Sequence, residues 1–204
     1  QGEAAADPTE SPCHRRQLFA GFRSDVGPNY EITNKVKDKV RALAESGDVF
    51  AQDDLGHMYY LGLGVERSYE KAAEWYRKAA EQGYAEAQDR LGDIYSGGEG
   101  VEQSYEKAVE WHRKAAEQGY AKAQNQLGVM YAVGKGVEQS YEKAVEWYRK
   151  AAEQGYDWAE YNLGFNYYNG TGVSQNKAKA RELIQKAADQ GIEDAAKFLK
   201  EHSF

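Results

Sequence analysis

At 204 residues, with 41% hydrophobic and 13% aromatic side chains, the chain can bury a real core and is too apolar to stay unfolded. It nevertheless holds no run near the ~18 apolar residues of a membrane helix. A formal charge of −7 repels a phosphate backbone, and with no basic strip in view nucleic-acid binding is set aside. The single Cys13 cannot close an internal disulfide and suits a reducing or an oxidising compartment equally.

A step of 36 residues organises the rest. Leu-Gly recurs at Leu55-Gly56, Leu91-Gly92, Leu127-Gly128 and Leu163-Gly164, and Gly47, Gly83, Gly119, Gly155 and Gly191 keep the same interval. Such self-similarity marks a solenoid whose units cannot bury their apolar faces alone and must stack.

In chain order, residues 1–12 are small, polar and Pro-containing, and the first is not methionine. Mature exported proteins often begin this way, so a secreted or periplasmic location is expected, with a cytoplasmic one left open. Cys13 follows Glu10, Ser11 and Pro12, which is no lipidation context, and reads as an idle thiol. Counting 36 back from Leu55 lands on Phe19, so residues 15–23, with Leu18, Phe19 and Phe22, read as a worn first helix capping the N-terminal core. Residues 1–30 are therefore taken as tail and degenerate cap, and 31–204 as the repeat body.

Within the body, helix pairs are expected at 50–60 and 69–82, 85–96 and 105–118, 121–132 and 141–154, and 158–168 and 177–190. In the second helices Ala108, Trp111, His112 and Ala115 fall at i, i+3, i+4 and i+7, one apolar stripe, while Glu106, Lys107, Glu110, Arg113 and Lys114 mostly face away. Ser104 is placed as an N-cap, Glu106 puts negative charge in the first turn, and Gly119 is placed to end the helix in a left-handed conformation. In the first helices Ala87, Leu91 and Tyr95 supply the stripe. Gly92 removes a side chain where the paired helix approaches, and Gly98 and Gly100 permit the tight turn. Residues 193–202 close the C-terminal side with Ala196 and Leu199.

The pattern A-x-x-x-L-G-x-x-Y-x-x-G-x-G-V, followed by S-Y-E-K-A-x-E-W-Y-R-K-A-A-E-Q-G, resembles the Sel-one-like repeat family, relatives of the tetratricopeptide repeats. The resemblance covers residues 34–204. It implies an all-α, right-handed α/α superhelical solenoid of helix-turn-helix repeats that serves as an adaptor or scaffold, a role in which few members are enzymes. Ser68, Ser104, Ser140 and Asn176 stand where the family often has Asp, a change that preserves capping. The cysteine-rich bacterial branch staples each repeat with a disulfide; one cysteine cannot, so that branch's affinity for β-lactam and cell-wall ligands transfers poorly.

No catalytic, cofactor or metal constellation is legible. The four histidines show no ligand spacing, and His112, at the place of Tyr76 and Tyr148, reads as a substitute packing aromatic. His57, beside Asp53 and Tyr60, reads mainly as solvent-exposed, with partner contact second. The Gly128–Gly136 stretch misses P-loop spacing, and Asn169-Gly170-Thr171 is a sequon at a repeat turn.

The variable positions are the informative ones. Opposite the Leu-Gly stripe, the first helices carry Phe50, Asp53, His57 and Tyr60, then Glu86, Asp89, Asp93 and Ser96, then Lys122, Asn125, Val129 and Ala132, then Trp158, Tyr161, Phe165 and Tyr168. The second set is acidic and the fourth aromatic, on one helical face by its spacing. That aromatic stripe either packs under the C-terminal cap or lines a concave groove. The expectation is a non-enzymatic binding module that takes a protein or peptide with basic and apolar side chains. Trp158, Tyr161, Phe165 and Tyr168 would anchor the partner, Asp89 and Asp93 would select basic groups, and His57 and Tyr60 would stand beside them. The rival is an envelope protein binding or processing cell-wall glycan or peptide; it would need a paired carboxylate or a Ser and Lys dyad in a closed pocket.

Overall fold

A computed structural model describes residues 34–202. Among them every regular element is an α-helix: α1 Asn34–Glu45, α2 Val49–Leu61, α3 Tyr69–Glu81, α4 Ala85–Gly97, α5 Tyr105–Glu117, α6 Ala121–Val133, α7 Tyr141–Ala152, α8 Asp157–Asn169, α9 Lys177–Asp189 and α10 Glu193–Glu201. The expected pairs are α2/α3, α4/α5, α6/α7 and α8/α9, and each helix packs on the next in order. Helix α1 went unread in the sequence because its residues share little with the second helices. The worn helix at 15–23 and the tail lie outside the described residues.

Capping follows local chemistry. The side chains of Ser68, Ser104, Ser140 and Asn176 each accept a hydrogen bond from the backbone N–H three residues on, satisfying one of the orphan donors of α3, α5, α7 and α9.

Two kinds of glycine fix how helices meet. A Cβ on Gly56, Gly92, Gly128 or Gly164 would lie 2.7 Å from Tyr76, 2.7 Å from His112, 2.6 Å from Tyr148 or 2.6 Å from Ile184, so each first helix touches its partner through bare backbone. Gly100 has φ +69°, and any Cβ there would collide with the Tyr69 and Glu70 backbone. The turn of one unit thus rests on the start of the preceding unit's second helix. Substitution at Gly100 is penalised both by conformation and by contact.

Between units runs a polar ladder. Gln52, Gln88 and Gln124 each donate to the carbonyl eight residues back, Ala44, Ala80 and Ala116, and accept from Gln82, Gln118 and Gln154 at 2.7, 2.7 and 2.8 Å. In the last unit Glu160 takes the glutamine's place and accepts from Gln190 at 2.7 Å. Alanine is the commonest buried residue, and Leu55, Leu91, Leu127 and Leu163 are buried in each unit.

Candidate binding face

The variable residues of α2, α4, α6 and α8 share one face, and its acidic part is committed internally. Buried Asp89 accepts from Lys122 Nζ at 2.6 Å through one oxygen and lies 3.0 Å from His112 Nδ1 through the other. Burial alone pushes the Asp89 carboxyl up, but His112 and Lys122 outweigh it and hold the group below the usual carboxylate range. Asp93 accepts from the same Lys122 at 2.8 Å and from Gln126 at 3.2 Å. Lys122, whose ammonium is stabilised by these two carboxylates against its own burial, reaches back from the next unit. Similar bridges flank it: Arg90 to Asp53, Arg90 to Glu86 at 2.9 Å, and Asn162 to Asn125 at 2.9 Å.

This geometry corrects the reading of Asp89, though not of Asp93, as an open selector of basic groups. Asp89 presents no open oxygen, and only Asp93 keeps partial exposure. It also corrects the reading of His112. The ring does pack against Gly92 as an aromatic would, but it is also a hydrogen-bonding partner of a buried carboxylate. Asp89, Asp93 and His112 bring three potential metal-ligand atoms within 4.8 Å of one another, a convergence that motif spacing did not reveal. The Lys122 ammonium already provides the cation between the two carboxylates.

His57 is half-buried, with Nδ1 3.4 Å from the Tyr76 hydroxyl, so it is less open than the mainly solvent-exposed position expected of it. Tyr60 donates to Glu99 at 2.8 Å. That bond, with burial and the nearby negative charge, pushes the Tyr60 phenol up to about 12. Both residues border a cavity of about 190 Å³ whose other polar walls are Arg90, Asp93, Glu99 and Lys122. Glu99 escaped the sequence reading because it sits in a turn, where the other units carry Leu63, Lys135 and Thr171.

The aromatic stripe divides. Tyr161 and Tyr168 are half-buried against the C-terminal cluster of Ile184, Ile192 and Phe198, with the Tyr168 ring edge-on to Phe198 at 5.1 Å. Trp158 and Phe165 remain 43% and 45% exposed. Phe165 gives one edge to Phe198 at 5.8 Å, and Trp158 meets Tyr161 edge-on at 6.4 Å. The tyrosines thus lie under the cap, while the other two rings keep exposed faces.

The Sel1 repeat family model matches residues 49–84, 85–120, 121–156 and 159–192. The chain belongs to the Sel1 repeat family. Members of that family are generally protein-interaction scaffolds without catalysis. Among solved structures, c5321, a protective antigen present in uropathogenic Escherichia coli strains and displaying an SLR fold, is 37% identical with a TM-score of 0.78 over 89% of this chain. This chain spans 38% of the length of that one. A Sel1 repeat protein from Oxalobacter formigenes is 34% identical, TM-score 0.72, covering 93% of this chain and 68% of its own. Immunity protein Pa5087 from Pseudomonas aeruginosa is 26% identical, TM-score 0.61, covering 96% and 71%. No curated protein matches the chain. Among the described residues no helix is long and apolar enough to cross a membrane.

Proposed function

We propose that this Sel1 repeat protein is a non-enzymatic adaptor that captures a peptide or partner domain along its first-helix face. The observation that carries the reading is the pair Trp158 and Phe165, two large rings left nearly half exposed on α8. Rigid aromatics of this kind become hot spots when a partner desolvates them. Lys122 and Asp93 on the two preceding units, with Glu99 at the cavity rim, supply the polar flank. With Asp89 sealed, selection of basic groups on the partner falls to Asp93 and Glu99. Recognition through the internal Asp89 would require breaking its bonds to Lys122 and His112, which a rim contact does not. A secreted or periplasmic location is proposed with it, and fractionation of host cells tests this.

The experiment compares affinity capture by the wild type with capture by a Trp158→Ala, Phe165→Ala double variant, alongside their melting curves. A partner held by the wild type should be lost by the variant, since each ring contributes about 2 kcal/mol, roughly thirtyfold in affinity. Unchanged capture by a folded double variant refutes the reading. A drop in melting temperature with capture intact would make both rings part of the core beneath the cap.

A further inference from the structure

A second helix and the first helix that follows it form a seat, which the next second helix fills. Between α7 and α8 the seat is floored by Val145 and Leu163, each 3% exposed, and Ala180 and Leu183 of α9 complete the same cluster. Gly164 lets α9 settle on bare backbone, since a Cβ there would meet Ile184 at 2.6 Å. One repeat later the corresponding seat, between α9 and α10, is filled by no helix of the described residues. It is an open groove of about 530 Å³. Its walls follow the repeat position by position: Arg181 stands where α7 has Val145, Ala188 where it has Ala152, Leu199 where α8 has Leu163, and Lys200 where it has Gly164. Leu199 is half-buried, whereas its four counterparts are at most 3% exposed.

Two of these residues change what the seat accepts. A lysine at the glycine position excludes a helix at the spacing of the repeat, and arginine in place of valine removes an apolar contact, so a further unit of the same kind does not fit. Both replacements add positive charge to a chain whose formal charge is −7. No acid lines the groove. The acids that neighbour it in sequence are engaged elsewhere: Glu182 accepts from Lys186 at 2.8 Å, Asp189 from Gln185 at 2.8 Å, and Glu201 lies 4.0 Å from Lys197. Among the described residues no carboxylate pairs with Arg181 or Lys200. What the groove offers is the floor of a helix seat, Ala188, Ala196 and Leu199, flanked by two cations. Its shape suits a helix, and its charge suits an acidic one.

We propose that the groove between α9 and α10 docks an acidic amphipathic helix of a partner protein, with the helix's apolar stripe on Ala188, Ala196 and Leu199 and its carboxylates on Arg181 and Lys200. This is helix-in-groove recognition, and it stands or falls separately from the rings of α8.

The probe is a fluorescein-labelled synthetic helix of about 18 residues, with leucine and alanine on one stripe and glutamate on both flanks. A twin carries lysine at every glutamate position, and each is titrated with the full chain by anisotropy. The acidic helix should bind about tenfold more tightly than its twin, and added salt should narrow the difference. Arg181→Glu with Lys200→Glu changes two exposed positions; the melting curve should hold while binding of the acidic helix falls about tenfold or more. Arg181→Val with Lys200→Gly, which returns the seat to the residues of the repeat, should abolish the preference for the acidic helix. The Trp158→Ala, Phe165→Ala variant should bind it as the wild type does. In the full chain the acidic helix should shift the amides of Ala188, Ala196 and Leu199. Equal binding of the two helices, unchanged binding by the folded charge-reversed variant, or shifts centred on Trp158 and Phe165 overturns the proposal. So does sedimentation showing that a second copy of the chain fills the groove.

Discussion

Three of the four first helices in complete units carry a buried glutamine that donates to a carbonyl eight residues back and accepts from the next helix's glutamine. The fourth carries Glu160, 6% exposed, which accepts from Gln190 but has no hydrogen for the carbonyl of Ala152, the counterpart of Ala116. Glu160→Gln restores that donor and removes a buried charge. One net hydrogen bond is worth about 1 kcal/mol, which for a chain of this length raises the melting temperature by about 2–4 °C. The pH dependence gives a second check. Burial pushes the Glu160 carboxyl up, and Lys186 and Gln190 only partly oppose it. A carboxyl whose folded pKa lies above its unfolded value binds its proton more tightly when folded. The wild type therefore gains stability as pH falls from neutrality through the folded pKa, and the variant lacks this gain. Melting curves at pH 7 and pH 5 should show the glutamine variant ahead at pH 7 and the gap narrowing at pH 5. A variant no more stable than the wild type at pH 7, or a gap that does not change with pH, would refute the ladder argument.

Asn166→Met should also stabilise the protein. The Asn166 side-chain nitrogen is buried without a hydrogen-bond partner, while Met58 and Met130 fill the same place in other units; the gain expected in chemical denaturation is about 1–2 kcal/mol. Asp89→Asn should cost about 3 kcal/mol, because Lys122 and His112 lose a buried charged partner. Since the Asp89 carboxyl is held low, its contribution is present above the ordinary carboxylate pKa and fades as pH falls through the lowered folded value. The difference between wild type and variant should therefore shrink in acid, and a constant difference would count against the pairing.

The 36-residue step, the Ser and Asn caps, the glycine turns and the helix pairs were all legible in the chain because each depends on residues close in sequence and is written several times over. Repetition also made the variable positions stand out, so the residues of the candidate binding face could be named. Their states could not. Whether Asp89 is open or sealed depends on Lys122, 33 residues away, and on the ring that replaces a tyrosine 23 residues away. Whether a ring of the aromatic stripe is buried depends on how far Phe198 and Ile192 of the C-terminal helix reach across α8. Helix α1 escaped for a related reason, since its Val and Leu depart from the repeat's alanines and only its position against α2 marks it as a second helix. The sequence by itself determined a stacked helical repeat of the Sel1 kind and which positions vary. The tertiary structure decided which of those positions face solvent, because side-chain pairing between units is set by distances that no single 36-residue copy contains.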